Sequence, residues 1–360
     1  MKLLRNYFFV KFLFILLIFF VSFHAVIWIG FTSKIFDRDD GLYIGDLGRI
    51  SYQLDSLHPR KLEYTLKKRH LHRENWNFEQ VDILTVGDSF SNADTGGLNP
   101  YYQDYLATFY DKKVLNLQRS SDKSNSMELL ISLYNSGWLQ RYKPKYIVLQ
   151  SGGRYMLDTY AKPMDWNTTL HQNDNDILAD FKTTNSHIPE LSFINTANYR
   201  FLLYSLEYKF LKKGYKQIPK LKLNQPFFSP KNYSSRLLVV DKDIKNHTNQ
   251  DDKRVHLLNE NLNRLSKLLK TLDIKLFFMA TADKYDLYYD FIVDNPYPKN
   301  YLFDLLREAP KEYYFVDTKA ILLEALKKGE QDIFYADDTH WSYKASEIVS
   351  QDSIFKENIR

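Results

Sequence analysis

The longest apolar run in the chain extends from Phe12 to Phe31, twenty positions interrupted only by weakly polar residues. As a helix, twenty residues rise roughly 30 Å, the thickness of a bilayer's hydrocarbon core. Lys2, Arg5 and Lys11 precede the run. That charge bias keeps residues 1–11 in the cytoplasm and sends the chain beyond Phe31 outside. The run is long for a signal-peptide core and no small-x-small site comes after it, so 12–31 reads as an uncleaved signal anchor. His24 inside it reads as a polar residue tolerated near the outer interface.

Beyond a polar linker over 32–80 the pattern changes. Short apolar runs recur in "VDILTVGDSF", "KVLNL", "KYIVLQS", "IKLFFMA", "YYFVD" and "DIFYA". Runs this short, closed by turn residues, predict buried strands. Between most of them lie helical patterns such as "NSMELLISLYNSGWLQRY" and "HLLNENLNRLSKLLKTLD"; the second sets Leu257, Leu258, Leu262, Leu265, Leu268, Leu269 and Leu272 on one face at helical spacing. Strands alternating with helices predict an α/β domain over 81–355, a doubly wound three-layer sheet of about five mainly parallel strands. The alternation breaks at about 155–255. This polar stretch holds one amphipathic pattern, "NYRFLLYSLEYKFLKK". It reads as an insertion over the carboxyl ends of the strands, where such sheets bind ligands, or equally as a partner-binding arm.

Composition removes several chemistries. With no cysteine, disulfides, thiolate metal sites and cysteine nucleophiles are excluded. A net charge of +5 without a long lysine/arginine run gives no footprint for nucleic acid. The 27 Tyr and 25 Phe suit a sugar-binding surface and equally an AT-rich coding sequence. His70 and His72 form a His-x-His pair with no third ligand nearby, and read as solvated linker rather than as a metal site. No motif calls for a cofactor.

Two stretches carry chemistry. In "TVGDSFSN", Ser89 follows the first strand at a strand-to-helix turn that Gly87 makes possible, with Asp88 holding the turn. A serine hydroxyl needs a base to become a nucleophile, and "DDTHW" supplies His340 with Asp337 and Asp338 just upstream. Either aspartate can orient the imidazole, through Asp-x-x-His or Asp-x-His spacing; the other is then a solvated or capping residue for a helix beginning near Ser342. Trp341 reads as a core or rim aromatic, or as a candidate for stacking on a sugar. Lys284, just past a strand end, is a candidate for substrate contact.

"ILTVGDSFSN" with a C-terminal "DDTHW" resembles the SGNH/GDSL hydrolase superfamily, and "DTHW" resembles the SGNH-like O-acetyltransferases of the alginate-acetylation type. "YIVLQSGGRYM" looks like the strand of the third SGNH block, and "FFMATADKYDLYYDFI" like a lysine-bearing turn of the acetyltransferase-like branch. The resemblance spans most of 80–350. It implies a flavodoxin-like fold and a serine acyl-enzyme formed by Ser89, His340 and Asp338 or Asp337. It also implies an oxyanion hole that includes the Ser121 amide, because Ser121 stands where the second block has glycine. The third-block asparagine is absent: Gly153 stands there with Arg154 beside it, a candidate for oxyanion stabilisation, for an anionic sugar or for a salt bridge. The serine-first, histidine-last order follows ordinary SGNH hydrolases. The implied activity is acetyl transfer onto a cell-surface or exported glycan by a single-pass protein of the cytoplasmic membrane whose domain faces outward. A multi-spanning membrane-bound O-acyltransferase would deliver the acetyl group. A glycan acetyl-esterase of the same fold, and a catalytically silent glycan-binding or scaffold subunit, are the alternatives.

Overall fold

The computed structural model describes residues 2–32, 42–43, 45–47, 58–59, 66–92, 99–118, 125–170, 193–195, 197–211, 219, 221–231, 233–245 and 251–360. The apolar run forms helix α1 (Lys2–Ile27), continued by a π-helical turn (Trp28–Thr32). Tyr7–Thr32 is long and apolar enough to cross a membrane, and most of it stands clear of the rest of the protein.

A six-stranded sheet forms the centre of the fold. Its strands are β1 (Leu71–His72), β2 (Ile83–Gly87), β3 (Val114–Gln118), β4 (Tyr146–Gly152), β5 (Lys275–Thr281) and β6 (Tyr314–Asp317). They lie in the order β6-β5-β4-β2-β3-β1, every pair parallel. β2 and β4 are buried along their whole length, as a sheet covered on both faces requires. One layer holds α3 (Tyr102–Phe109), α12 (Thr318–Lys327) and α13 (Tyr343–Ser350); the other holds α4 (Ser126–Asn135), α6 (Gly153–Tyr160), α9 (Asp252–Lys270) and α11 (Leu302–Glu308). Helix α9 forms where the leucine spacing predicts: Leu258, Leu262, Leu265 and Leu269 are fully buried, Leu257, Leu268 and Leu272 are half-buried, and the Asp251 side chain caps its first turn. From β2 the chain winds one way to β3 and the other way to β4. The strand order therefore reverses between β2 and β4, and the crevice outside their carboxyl ends is where such sheets hold ligands.

Three expectations change. "DIFYA" is not a strand: Phe334 makes only an isolated bridge to Trp341. Asp332 enters the left-handed region (φ 59°), and the carbonyls that a ladder would use are taken by other donors. Ser342 N donates to Ile333 O at 2.8 Å, and Lys284 Nζ to Tyr335 O and Ala336 O.

The stretch 32–80 is not merely linker. β1 is the edge strand of the sheet beside β3, Trp76 is core, and His70 is buried rather than solvated. His70 Nδ1 lies 2.7 Å from Asp104 Oδ1, and the His70 amide donates to the same oxygen.

The third change concerns 155–255, whose described residues do not all lie over the carboxyl ends of the strands. Residues 221–231 and 233–245 pack on the loops at the carboxyl ends of the strands: Leu223 bridges to Ile292, and Asp332 N donates to Phe227 O. Helix α7 (Ala197–Phe210) instead packs against α1 and its π-helical turn.

Candidate active site

β2 ends at Gly87, and α2 (Ser89–Asn92) starts two residues later. Gly87 is required by close approach rather than by a left-handed turn. A Cβ there would overlap the Ser91 hydroxyl and the Gln150 side chain, and Gly87 is not among the positive-φ residues. Gln150, fully buried on β4, organises the turn: its Oε1 accepts from Asp88 N at 3.0 Å and from Ser91 Oγ at 2.9 Å, and its Nε2 donates to Thr281 on β5. Asp88 ties the ends of β2 and β4 together, accepting from Gly152 N at 2.6 Å and Phe90 N at 3.1 Å. The turn is thus fixed on both sides, with Ser89 at its partly open edge.

His340 Nε2 lies 2.8 Å from Ser89 Oγ, although 251 residues separate the two. His340 Nδ1 lies 2.8 Å from Asp338 Oδ1, which also accepts the His340 amide at 2.9 Å. A carboxylate at Nδ1 fixes the proton there and leaves the Nε2 lone pair for the serine proton. The choice between aspartates is settled by geometry. Asp338 orients the imidazole, while Asp337 turns away and accepts from Gly45 N at 2.7 Å. Asp338 is completely buried, and His340 keeps 13% of its side chain exposed, enough to meet a substrate.

A second carboxylate backs the pair, one for which the sequence offers no periodic or motif signal. Asp46 accepts from Thr339 N at 2.8 Å and Thr339 Oγ1 at 2.6 Å, while its own amide donates to Asp338 Oδ2 at 3.2 Å. A Cβ at Gly45 would overlap the Asp337 carbonyl, so only glycine lets this strap lie so close. The carboxylates of Asp46 and Asp338 and the His340 ring nitrogen lie within 4.8 Å of one another, a grouping able to hold a cation. Hydrogen bonds already engage the carboxylate oxygens and both ring nitrogens. Burial pushes the His340 pKa down, but the hydrogen bond and charge of Asp338, with the charge of Asp46, outweigh burial and the opposing Arg154 and leave it raised. Asp46 is itself raised, by burial and then by the neighbouring Asp338.

Lys284 does not contact the cleft as expected. It is fully buried at the start of α10 (Lys284–Tyr288). Its ammonium donates to the carbonyls of Tyr335 (2.7 Å), Ala336 (2.9 Å) and Asp338 (3.0 Å), so it holds the histidine loop from behind. Burial lowers its pKa to about 8 against the pull of Asp337, Asp338 and Asp46. Arg154 is likewise structural. Its Nε lies 3.1 Å from both Asp283 Oδ1 and Asp243 Oδ1, the latter on α8 (Asp241–Lys245). Burial disfavours the guanidinium charge, but the two carboxylates outweigh that and raise its pKa. Trp341 lines the cleft yet is mostly buried, edge-on to Phe90 at 5.2 Å. Ser121 lies outside the described residues.

The cleft beside Ser89 and His340 is walled by Asn99, Tyr101, Tyr335 and Tyr343. Asn99 Nδ2 donates to the Tyr335 hydroxyl at 2.9 Å. These wall residues belong to no motif, and the high aromatic content was the one signal pointing toward them. Searches against protein-family models and curated proteins find no match for this chain.

Proposed function

We propose that this protein is a membrane-anchored, extracytoplasmic SGNH-like O-acetyltransferase that acts on a cell-surface or exported glycan through an acyl-enzyme on Ser89. The observation that carries the acyl-enzyme is the Ser89–His340–Asp338 relay, two successive contacts of 2.8 Å in the crevice where the strand order reverses. Transfer onto a glycan rests on the family resemblance and on the aromatic cleft wall.

In this reading His340 Nε2 takes the Ser89 proton as Oγ bonds to the acetyl carbonyl carbon. The oxyanion is received by the backbone amides of Ser89 and Ser121, the donors the resemblance implies. His340 returns the proton to the departing alcohol or carrier oxygen, leaving acetyl-Ser89. A sugar hydroxyl then enters, gives its proton to His340 and attacks the ester. The carbonyl–Ser89 bond breaks, and Oγ recovers the proton. Asp338 stabilises the imidazolium in both halves, Asp46 and Lys284 hold the loop that carries it, and no cofactor is needed. The acetyl group would come from a multi-spanning membrane-bound O-acyltransferase.

The test uses the full chain in detergent or nanodiscs with an acetyl-phenol ester. Phenolate leaves at acylation, so a burst of one equivalent precedes slower turnover. Ser89→Ala removes the burst. An acceptor glycan accelerates the slow phase and becomes acetylated. Acceleration or turnover without acetylated sugar identifies an esterase, and a folded protein with neither burst nor turnover refutes the catalytic reading.

A further inference from the structure

The anchor and helix α7 are joined in a way that the proposed chemistry does not use. Tyr7–Thr32 has 26 residues, about 39 Å as helix against roughly 30 Å of hydrocarbon core, so about 9 Å is left over for the interfaces. Helix α7 packs on the domain-side end of this segment, against Trp28–Thr32 and the last turns of α1. Asn198 Nδ2 donates to His24 Nδ1 at 2.7 Å, with both residues buried. Such a bond pins α7 to the anchor where competing water is scarce.

Tyr199, Leu202, Leu203, Leu206 and Phe210 of α7 are nevertheless exposed, Phe210 at 72%. Their spacing places them on one helical face. Val26 and Ile29, in the part of the anchor next to His24 and the π-helical turn, are exposed as well. An apolar face fastened side-on to a membrane-spanning helix at its interfacial end meets lipid before it meets water.

We infer that α7 is an interfacial membrane helix: with its stripe Tyr199–Phe210 in the bilayer surface on the domain's side, it fastens the domain against the membrane. The inference rests on the anchor crossing the membrane and is independent of the proposed activity. The occupant of the stripe is lipid, because the stripe belongs to a helix packed on one whose composition places it in lipid. Interfacial helices of this kind bind by apolar burial along one face.

The test exploits the absence of cysteine. Phe14→Cys, Leu203→Cys, Leu206→Cys and Lys328→Cys are labelled singly with an environment-sensitive fluorophore in the full chain, one molecule per nanodisc of phosphatidylethanolamine and phosphatidylglycerol. All four parent side chains are exposed, so the labels leave the core intact. Nitroxide-bearing lipids are expected to quench the labels at 14, 203 and 206 but not at 328, and aqueous iodide to quench 203 and 206 several-fold less than 328. Labels at 203 and 206 as open to iodide as the one at 328 overturn the inference. Protection from iodide without lipid quenching also overturns it, assigning the stripe to a protein contact. Loss of lipid quenching at 14 as well overturns the anchor and the docked helix together, whatever the enzyme assay shows.

Discussion

Replacing Asp46 by asparagine isolates one electrostatic contribution to the proposed base. Asparagine keeps an oxygen for the Thr339 amide and an NH2 able to donate to the Thr339 hydroxyl, so the strap geometry survives while the charge is lost. The Asp46 carboxylate lies within 4.8 Å of the His340 ring nitrogen. At that separation and an effective dielectric of about 20, Coulomb's law gives about 3.5 kcal/mol, or ~2.5 pKa units, before solvent screening. The cleft opens to solvent, and screening of about half leaves a shift of about 1 unit. His340 must be neutral to accept the serine proton, and its pKa in the folded protein is raised. Activity is therefore lost as pH falls through a value above the ordinary imidazole pKa. Asp46→Asn moves that acid limb of kcat/KM to lower pH by about 1 unit. The groups facing His340 are Asp338 and Asp46, which favour its charge, and Arg154, which opposes it; only Asp46 changes. The assay is the pH profile of ester hydrolysis, with an NMR titration of His340 identified by its loss in His340→Gln. An acid limb and a His340 titration left where they were, in a folded variant, would refute the assignment of Asp46 as an electrostatic positioning residue.

Asp338→Asn should lower turnover by ~10³-fold or more, as expected when a triad imidazole loses its orienting carboxylate, whereas Asp337→Asn should cost far less; equal losses in the ester assay would contradict the Asp-x-His geometry. Lys284→Met should destabilise the fold by about 3 kcal/mol or more in chemical denaturation, because it removes three charge-assisted hydrogen bonds from buried carbonyls. Asp104 tests the edge of the sheet: burial pushes its pKa up, but hydrogen bonding and charge from His70 outweigh that and hold it at about 2. That shift contributes about 2.5 kcal/mol, fully present above the unfolded carboxyl value and lost as pH falls through about 2. Asp104→Asn should therefore be less stable than the parent at neutral pH, by a gap that narrows below about pH 4.

Much of the architecture was written locally. A continuous apolar run needs only length to predict a helix long and apolar enough to cross a membrane, and five strands of the sheet are short apolar runs because a parallel strand covered on both faces has no polar side to show. The contact between Ser89 and His340 was legible for the same reason, since each sits in a compact motif. Local patterning also misled: "DIFYA" has strand composition, but Lys284, 51 residues away in sequence, takes the carbonyls a ladder would use. The sequence left Asp337 and Asp338 equivalent, and only the turn of the loop, with Gly45 N on one carboxylate and His340 on the other, separates them. Arg154 and Lys284 were visible as charges beside a crevice, but whether a charge faces substrate or a buried partner depends on elements far away in the chain. Asp243 and Asp283 claim the first, and the carbonyls of Tyr335, Ala336 and Asp338 the second. Asp46 was invisible for that reason too: its role comes from a contact across 293 positions, and hydrogen bonds of that span are decided by the packing of the whole sheet, not by the residues beside them.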